Sequence, residues 1–186
     1  LIGKTNLCIL YFLSIAMFGD IKFSPSLTTK LKESVNIISK AIDKYGSGLA
    51  ICFNGGKDAT VLLDLVTKVS KMKHQNIQVD DKLAQPKPHK PVKAYYLVSQ
   101  NDFDEILTFI NFSMSYWKFS LIQLKTASLK SGLADLIENH NTRAIFLGVR
   151  NTDLQAPLTD PFQRTSEGWP DAMRVMPILQ WTYSEI

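Results

Sequence analysis

Residues 54–58, Asn-Gly-Gly-Lys-Asp, bring together the residue types that bind phosphate groups. Gly55 and Gly56 can adopt positive φ and bring backbone N–H groups close to a ligand. A helix that begins near Asp58 would add unpaired N–H groups and the positive end of its dipole. Lys57 adds a mobile positive charge. The stretch therefore predicts a phosphate-binding loop, and the alternative is an ordinary glycine turn between a strand and a helix.

Two common nucleotide-binding motifs do not match this loop. The Walker motif requires G-x-x-x-x-G-K-[ST], whereas Asp58 follows Lys57 and Ile51 stands five positions before Gly56. The Rossmann motif G-x-G-x-x-G does not fit either. Asp58 itself has two interpretations. It is either a magnesium ligand, because that ion prefers hard oxygen atoms, or a first-turn carboxylate that the helix dipole stabilises.

The elements around the loop predict an α/β fold, because helical and strand patterns alternate along the chain. Apolar residues at three- and four-residue steps predict helices over 24–48, 59–73, 103–117 and 129–140. Short apolar runs predict strands over 49–53, 93–99, 119–124 and 143–149, buried in a mostly parallel sheet with helices on both faces. We expect Ser26 or a following threonine to cap the first helix, and Gly46 or Gly48 to end it.

The remaining segments carry weaker patterns. Residues 74–91 are polar and contain three prolines, which predicts an exposed loop. Residues 151–186 are predicted to be an irregular, site-building segment. The aromatic residues Phe103, Phe109 and Phe112 of the third helix are predicted to lie in the core.

Composition limits the possible partners and compartments. The net charge of +4 and the pI near 9.0 suit a small anionic ligand and do not predict a nucleic-acid surface. Cys8 and Cys52 form no cluster, so neither a disulfide scaffold nor a zinc site is expected, and the cytoplasm is the predicted compartment. Residues 7–18 are apolar but shorter than the roughly 20 residues of a membrane span. They are read as a buried segment, with a targeting signal as the alternative.

Two C-terminal motifs extend the interpretation. GVRNTD (148–153) and WPDAMRVMPILQW (169–181) are similar to paired motifs of the eukaryotic-type FAD synthetases, which are FMN adenylyltransferases. FNGGKDAT (53–60) resembles the pyrophosphate loop S-G-G-x-D-[ST] of the wider ATP pyrophosphatase superfamily, with Asn54 in place of the first serine. The sequence departs from the family pattern at Leu154 and Ala172, where proline and phenylalanine are usual.

The resemblance implies a fold, a domain arrangement and a reaction. The fold would be a three-layer sandwich of the adenine nucleotide alpha hydrolase-like type, in the PAPS reductase-like group. Residues 26–186 would form an FMN adenylyltransferase domain without the family's C-terminal continuation, preceded by a segment 1–25 of uncertain status. The enzyme would transfer AMP from ATP to FMN and give FAD and pyrophosphate, with Mg²⁺ as cofactor. ATP and FMN would be the partners of a monomer that binds no nucleic acid and does not insert stably into membranes.

The resemblance also implies roles for individual residues. Catalytic roles would fall to Asn54, Asp58, Arg150 and Asp153. ATP and its phosphates would be bound by Phe53, Asn54, Gly55, Gly56, Lys57, Asp58 and Gly148, with Asp58 as the metal ligand. The flavin would be bound by Arg150, Thr152, Asp153, Trp169, Arg174 and Trp181. For the arginine and aspartate the alternative is a loop ion pair, and for the tryptophans it is core packing.

Two other functions stay open on the sequence. One is another adenylyl-transfer enzyme of the same superfamily, related to the sulfurylases or the PAPS reductases. The reductase chemistry needs a C-terminal cysteine, and none follows Cys52. The other is a module that binds nucleotide or flavin without catalysis.

Overall fold

The computed structural model describes residues 23–80, 93–98, 102–126, 128–154 and 158–186, with the side chains of 75–80 left out. The helices and strands alternate through most of this range. The helices are α1 (Pro25–Tyr45), α2 (Lys57–Asp80), α3 (Asp104–Trp117) and α4 (Leu129–His140). The strands are β1 (Leu49–Cys52), β2 (Lys93–Leu97), β3 (Ser120–Leu124), β4 (Ala144–Phe146), β5 (Phe162–Arg164) and β6 (Met173–Val175). Three short 3₁₀ turns cover Gly46–Gly48, Asn151–Asp153 and Tyr183–Glu185.

The described strands form one sheet in the order β3-β2-β1-β4-β6-β5. All neighbouring pairs are parallel except β5 and β6, which are antiparallel. This confirms the predicted α/β class with a mostly parallel sheet. The strand order places β1 beside β4, although α2, α3 and α4 separate them in sequence. The chain turns to one side after β1 and to the other after β3, so the β1/β4 boundary is a topological switch point.

Two hydrophobic clusters cover the two faces of the sheet. One packs α1, α2 and α3 against alternate strand residues such as Ile51 and Phe146. The other packs α4, through Leu133 and Leu136, against the opposite strand residues, among them Ala50. The alternation along each strand explains this division, because successive side chains point to opposite faces. The three-layer arrangement expected from the resemblance is therefore present.

The ends of two helices differ from the predictions. The side chain of Ser24, not Ser26, caps α1 by accepting the Leu27 N–H at 3.2 Å, since Pro25 already occupies the first helical position. Gly46 ends α1 with a φ of 51°. Helix α2 continues to Asp80, so the prediction of a loop was wrong for residues 74–80. The rest of that predicted loop lies outside the described residues.

Two further predictions were wrong in the structure. Residues 151–186 contain β5 and β6, each only three residues long, which is too short for a periodic apolar pattern. Phe103 and Phe112 are 71% and 57% exposed and so do not lie in the core. Phe109 packs against the core from the same helix, because the buried face of α3 is set by Ile110.

The predictions for residues 1–22 fall outside the described part of the chain. Within the described ranges, no helix is both long enough and apolar enough to cross a membrane.

Candidate active site at the carboxyl edge of the sheet

The loop between β1 and α2 lies at the switch point and begins in the core. Phe53 is fully buried, and its ring packs edge-on against Phe119 with a centroid separation of 5.5 Å. Its N–H donates to the Tyr95 carbonyl at 3.0 Å, which extends the β1–β2 pairing by one residue. The side chain of Phe53 therefore anchors the base of the loop, and only its backbone is placed to take part in ligand binding.

The glycine turn has one residue in the left-handed region. Gly55 has a φ of 76°, whereas Gly56 has no positive φ, contrary to the expectation for both. The Asn54 side-chain oxygen accepts the Gly56 N–H at 3.0 Å and closes the turn. Asn54 thus shapes the loop through its oxygen, and its amide nitrogen is the group that remains to donate to a ligand.

The first turn of α2 follows at once. Thr60 donates both its N–H and its hydroxyl to the Gly56 carbonyl, each at 2.9 Å. The N–H groups of the residues before Thr60 lie ahead of this first intrahelical bond, where an α-helix offers free donors and a positive dipole end. Lys57 Nζ pairs with Asp58 Oδ1 at 2.8 Å, and its side chain is 42% exposed. The turn therefore presents amide donors and a cation at the same edge.

Arg150 enters the site from the neighbouring strand, four residues after β4. Its guanidinium donates through Nε and Nη2 to the two carboxylate oxygens of Asp153, at 3.0 and 2.8 Å. Nε also lies 3.5 Å from Asp58 Oδ1. The adjacency of β1 and β4 thus brings together Asp58 and the GVRNTD motif, which are far apart in sequence.

Burial and existing hydrogen bonds determine which N–H donors of Arg150 remain for a ligand. The residue is 7% exposed, and its Nη1 is buried without a hydrogen-bond partner in the described part of the chain. The Nε–H and one Nη2–H are used by Asp153. The N–H groups of Nη1 are left for a ligand. The arginine and its aspartate form the local ion pair that was the alternative interpretation, and they lie beside Asp58 at the carboxyl edge of the sheet.

Gly148 serves the packing of this edge. A Cβ atom at this position would stand 3.1 Å from the backbone nitrogen of Ala59 and from the carbonyl carbon of Asp58. The strand-4 loop can approach the start of α2 so closely only because residue 148 has no side chain. The absence of a side chain at Gly148 therefore allows the segment after β4 to pack directly against the residues that follow the glycine turn.

A cavity of about 380 Å³ opens on the α4 side of the sheet. Trp169 and Arg174 line it together with apolar residues of β2, β3 and α4, and Trp169 is 44% exposed. Arg174 Nη2 donates to the Arg164 carbonyl at 3.1 Å, and its Nε is buried with no partner among the described residues. The volume is in the range of ligand pockets, roughly 300–1,000 Å³.

Cys52, at the end of β1, also lines this cavity. Burial raises the pKa of its thiol, and a hydrogen bond with Tyr95 lowers it only in part. Burial likewise raises the pKa of the Tyr95 hydroxyl. Both groups are therefore neutral near pH 7, so the cavity wall is apolar and Cys52 is a poor nucleophile.

Trp181 does not belong to this cavity. It is 6% exposed, and its Nε1–H donates to the Ser34 hydroxyl of α1 at 3.0 Å. The prediction that Trp181 stacks on a flavin is corrected, because the ring is part of the core between α1 and the C-terminal segment. Thr152 is exposed in the turn beside Arg150.

Sequence reasoning missed Tyr183. Its ring centroid lies 4.3 Å from Lys57 Nζ and 5.6 Å from Arg150 Cζ, and the residue is 73% exposed. In the sequence, Tyr183 stands in WTYSEI (181–186), which continues the C-terminal motif, but it was assigned no role. No periodic pattern marks a single exposed aromatic residue in a turn.

Comparisons with known proteins bear on the family of this chain. The phosphoadenosine phosphosulfate reductase domain matches residues 48–186. A probable FAD synthase of Caenorhabditis elegans is 31% identical over 160 residues, which are 84% of this chain and 28% of that protein. A probable FAD synthase of Schizosaccharomyces pombe is 30% identical over 161 residues, covering 86% of this chain and 58% of that protein. The chain thus spans between about a quarter and three fifths of these relatives.

Solved structures match over more of the chain. The Candida glabrata FMN adenylyltransferase in complex with FAD and inorganic pyrophosphate has a TM-score of 0.73 and 21% identity, covering 95% of this chain and 61% of that one. At that identity the match establishes the fold. The sequence relatives confirm the predicted resemblance to the FAD synthetases.

Proposed function

This chain belongs to the phosphoadenosine phosphosulfate reductase domain family, and from that premise we propose that it transfers AMP from ATP to FMN, giving FAD and pyrophosphate. The observation that carries the proposal is the convergence of Lys57, Asp58 and Arg150 at the switch point of the sheet, with Arg150 Nε 3.5 Å from Asp58 Oδ1. Ligands of open α/β sheets bind at this edge.

The phosphate loop would bind the β- and γ-phosphates of ATP. The first-turn N–H groups of α2 and the Lys57 ammonium supply donors and positive charge, as anions at helix N-termini require. The Asn54 amide and Arg150 Nη1 are the further donors, and they would serve the α-phosphate. This division of roles rests on which donors the protein leaves unpaired.

The reaction needs positioning more than a base. An oxygen of the FMN phosphate would attack the α-phosphorus of ATP, forming one P–O bond while the bond to the β-phosphate oxygen breaks and pyrophosphate leaves. The FMN phosphate is already ionised at neutral pH, so the site has to align the two groups and balance charge. The donors around Asp58 and Arg150 suit that task.

Magnesium is the proposed metal, with Asp58 as its protein ligand. The described residues contain no group of three or more His, Cys, Asp or Glu side chains that would hold a metal alone. Mg²⁺ at phosphate sites takes one or two carboxylates and completes its shell with phosphate oxygens and water. The Asp58 carboxylate, 25% exposed beside the loop, fits that pattern. A bound ion would neutralise phosphate charge.

The flavin would occupy the cavity lined by Trp169 and Arg174. The support is its volume of about 380 Å³, its apolar wall and the unpaired buried Nε of Arg174. Trp169 offers an exposed ring for stacking. Cys52, the last residue of β1, lines the cavity and lies two residues before the loop begins at Asn54, and we propose that the ligand extends from the cavity to the loop along this edge. The neutral, buried Cys52 gives no support to thiol chemistry of the reductase kind.

The cytoplasm remains our proposed compartment, supported by the absence of a disulfide or zinc pattern in the two cysteines of the sequence. We also propose, as expected from the sequence, that the protein acts as a monomer.

The test is incubation of purified protein with FMN, ATP and Mg²⁺, with chromatography for FAD and an assay for pyrophosphate. We expect both products in equal amounts. Asp58→Ala should lower the rate about a hundredfold or more, as losing a preorganised electrostatic group at a reacting centre does. The matched control is Asp43→Ala, which removes an aspartate of α1 that pairs with Lys73 of α2, away from the loop. Pyrophosphate without FAD would point to another acceptor, and equal loss in both variants would refute the assignment of Asp58.

A further inference from the structure

The ring of Tyr183 lies close to the two cations of the proposed phosphate site, Lys57 and Arg150. Its ring centroid is 4.3 Å from Lys57 Nζ and 5.6 Å from Arg150 Cζ, both within the distance of about 6 Å at which a cation interacts with a ring face. We propose that Tyr183 is a positioning residue for polyphosphate binding, whose ring face holds Lys57 in the orientation that a phosphate group needs. The inference rests on the proposed function only in taking a polyphosphate as the ligand.

The position of Tyr183 is fixed by its neighbours. On one side, Trp181 is buried and bonded to Ser34 of α1. On the other side, Glu185 pairs with Lys30 of α1 at 2.8 Å and accepts the Thr182 N–H at 2.7 Å. The short turn that carries Tyr183 is therefore tied to α1 at both ends, while the tyrosine itself points away from the core.

Core packing does not explain the residue. Tyr183 is 73% exposed, and an exposed side chain of that size normally contributes little to stability. What its ring does contact is the ammonium of Lys57, whose own side chain is 42% exposed. A lysine that is free to move loses rotamer freedom on binding a ligand, and prior ordering removes much of that cost.

The ring and Asp58 do not use all the binding capacity of the ammonium, which has three N–H donors. The ring centroid lies 4.3 Å and Asp58 Oδ1 2.8 Å from Nζ, and the lysine side chain is still 42% exposed and open to a ligand. The aromatic face attracts the cation without neutralising its charge, so Lys57 keeps its full positive charge for phosphate.

Binding of inorganic pyrophosphate, measured by titration calorimetry, tests this inference. The variants are Tyr183→Phe, which keeps the ring, and Tyr183→Leu, which keeps apolar bulk without a ring face. We expect the phenylalanine variant to bind like the wild type and the leucine variant to bind about threefold to tenfold more weakly, the cost of ordering one long side chain. The thermal midpoints of both variants should match the wild type. Tyr116→Leu, at a 65% exposed tyrosine of α3, is the control and should leave affinity unchanged.

Each outcome bears on the inference separately from FAD formation. If wild-type protein binds pyrophosphate but forms no FAD, the proposed reaction fails and the comparison at position 183 still stands. Equal affinity of Tyr183→Leu and wild type would overturn the inference, as would tighter binding, which would mean that the ring blocks the site. Loss in the phenylalanine variant equal to that in the leucine variant would also overturn it, since the hydroxyl would then be the active group. No measurable pyrophosphate binding by wild type would refute the inference, while the proposed reaction would still be decided by the assay for FAD.

Discussion

Replacing Ser34 with alanine tests how the C-terminal segment is attached to the rest of the protein. The Ser34 hydroxyl is fully buried between α1 and that segment. It accepts the Trp181 Nε1–H at 3.0 Å and lies 2.7 Å from the Pro177 carbonyl, to which it donates. Alanine in its place would leave the indole N–H without this acceptor, at a site closed to water.

The expected loss of stability follows from that unpaired group. A buried donor left without a partner costs about 1–3 kcal/mol, and the better helix propensity of alanine returns roughly 0.5 kcal/mol. Ser113→Ala is the matched control, because Ser113 is also fully buried within a helix. Its hydroxyl only adds a second bond, at 2.7 Å, to the Phe109 carbonyl, which the helix already satisfies. We expect Ser34→Ala to lose about 2 kcal/mol more than Ser113→Ala.

Urea unfolding of the two variants and the wild type provides the measurement. The slope of the unfolding curves should stay the same, so that the midpoints report stability directly. Trp181→Phe removes the donor, and in that background Ser34→Ala should cost about 1 kcal/mol less than alone, since the two side chains are coupled. Equal losses for Ser34→Ala and Ser113→Ala, or no coupling with Trp181→Phe, would show that this hydrogen bond does not hold the segment.

Three further changes have defined expected results. Gly148→Ala would place a methyl group 3.1 Å from the α2 backbone, so we expect a stability loss of about 1–3 kcal/mol in urea unfolding and weaker ATP binding. Gly55→Ala and Gly168→Ala should each lose about 1–2 kcal/mol, because both glycines have a positive φ, of 76° and 77°. Only Gly55→Ala should also weaken ATP binding in calorimetry, and equal weakening in both would refute the loop assignment. The Lys30 side chain lowers the pKa of Glu185 from 4.5 to about 2. The stabilisation that the ionised Glu185 carboxylate provides is therefore complete above pH 4.5 and is lost as the pH falls towards 2. The difference in melting temperature between wild type and Glu185→Gln should shrink over that window, and a constant difference would contradict the ion pair.

Much of the fold was predictable because its causes are local. The three- and four-residue spacing of apolar residues gave four helices, and α4 was predicted over its observed range of 129–140. The short apolar run before Asn54 gave β1, since a strand buried on both faces needs such a run. The β5–β6 pair was not predictable, because three-residue strands exist only through pairing with their neighbours.

The candidate site divides in the same way. The proposed phosphate loop is a local structure, and the glycines, the lysine and the aspartate of residues 55–58 are sufficient to predict it from the sequence. The partners of that loop depend on strand order. Only the placement of β1 beside β4 brings Arg150 Nε to within 3.5 Å of Asp58 Oδ1, whereas the pairing of Arg150 with Asp153 is local to one turn.

Burial separates what the sequence alone determined from what the tertiary structure decided. Residue types and their spacing were enough to predict the phosphate loop, the alternation of helices and strands, and the family resemblance. They do not distinguish Trp169, Trp181 and Tyr183, because each is an aromatic residue in or beside one motif. The structure leaves Trp169 on a cavity, buries Trp181 against Ser34 and lays Tyr183 over Lys57. The physical reason is that an aromatic ring suits the core, a ligand pocket or a cation equally well, and the neighbours supplied by the fold select among them.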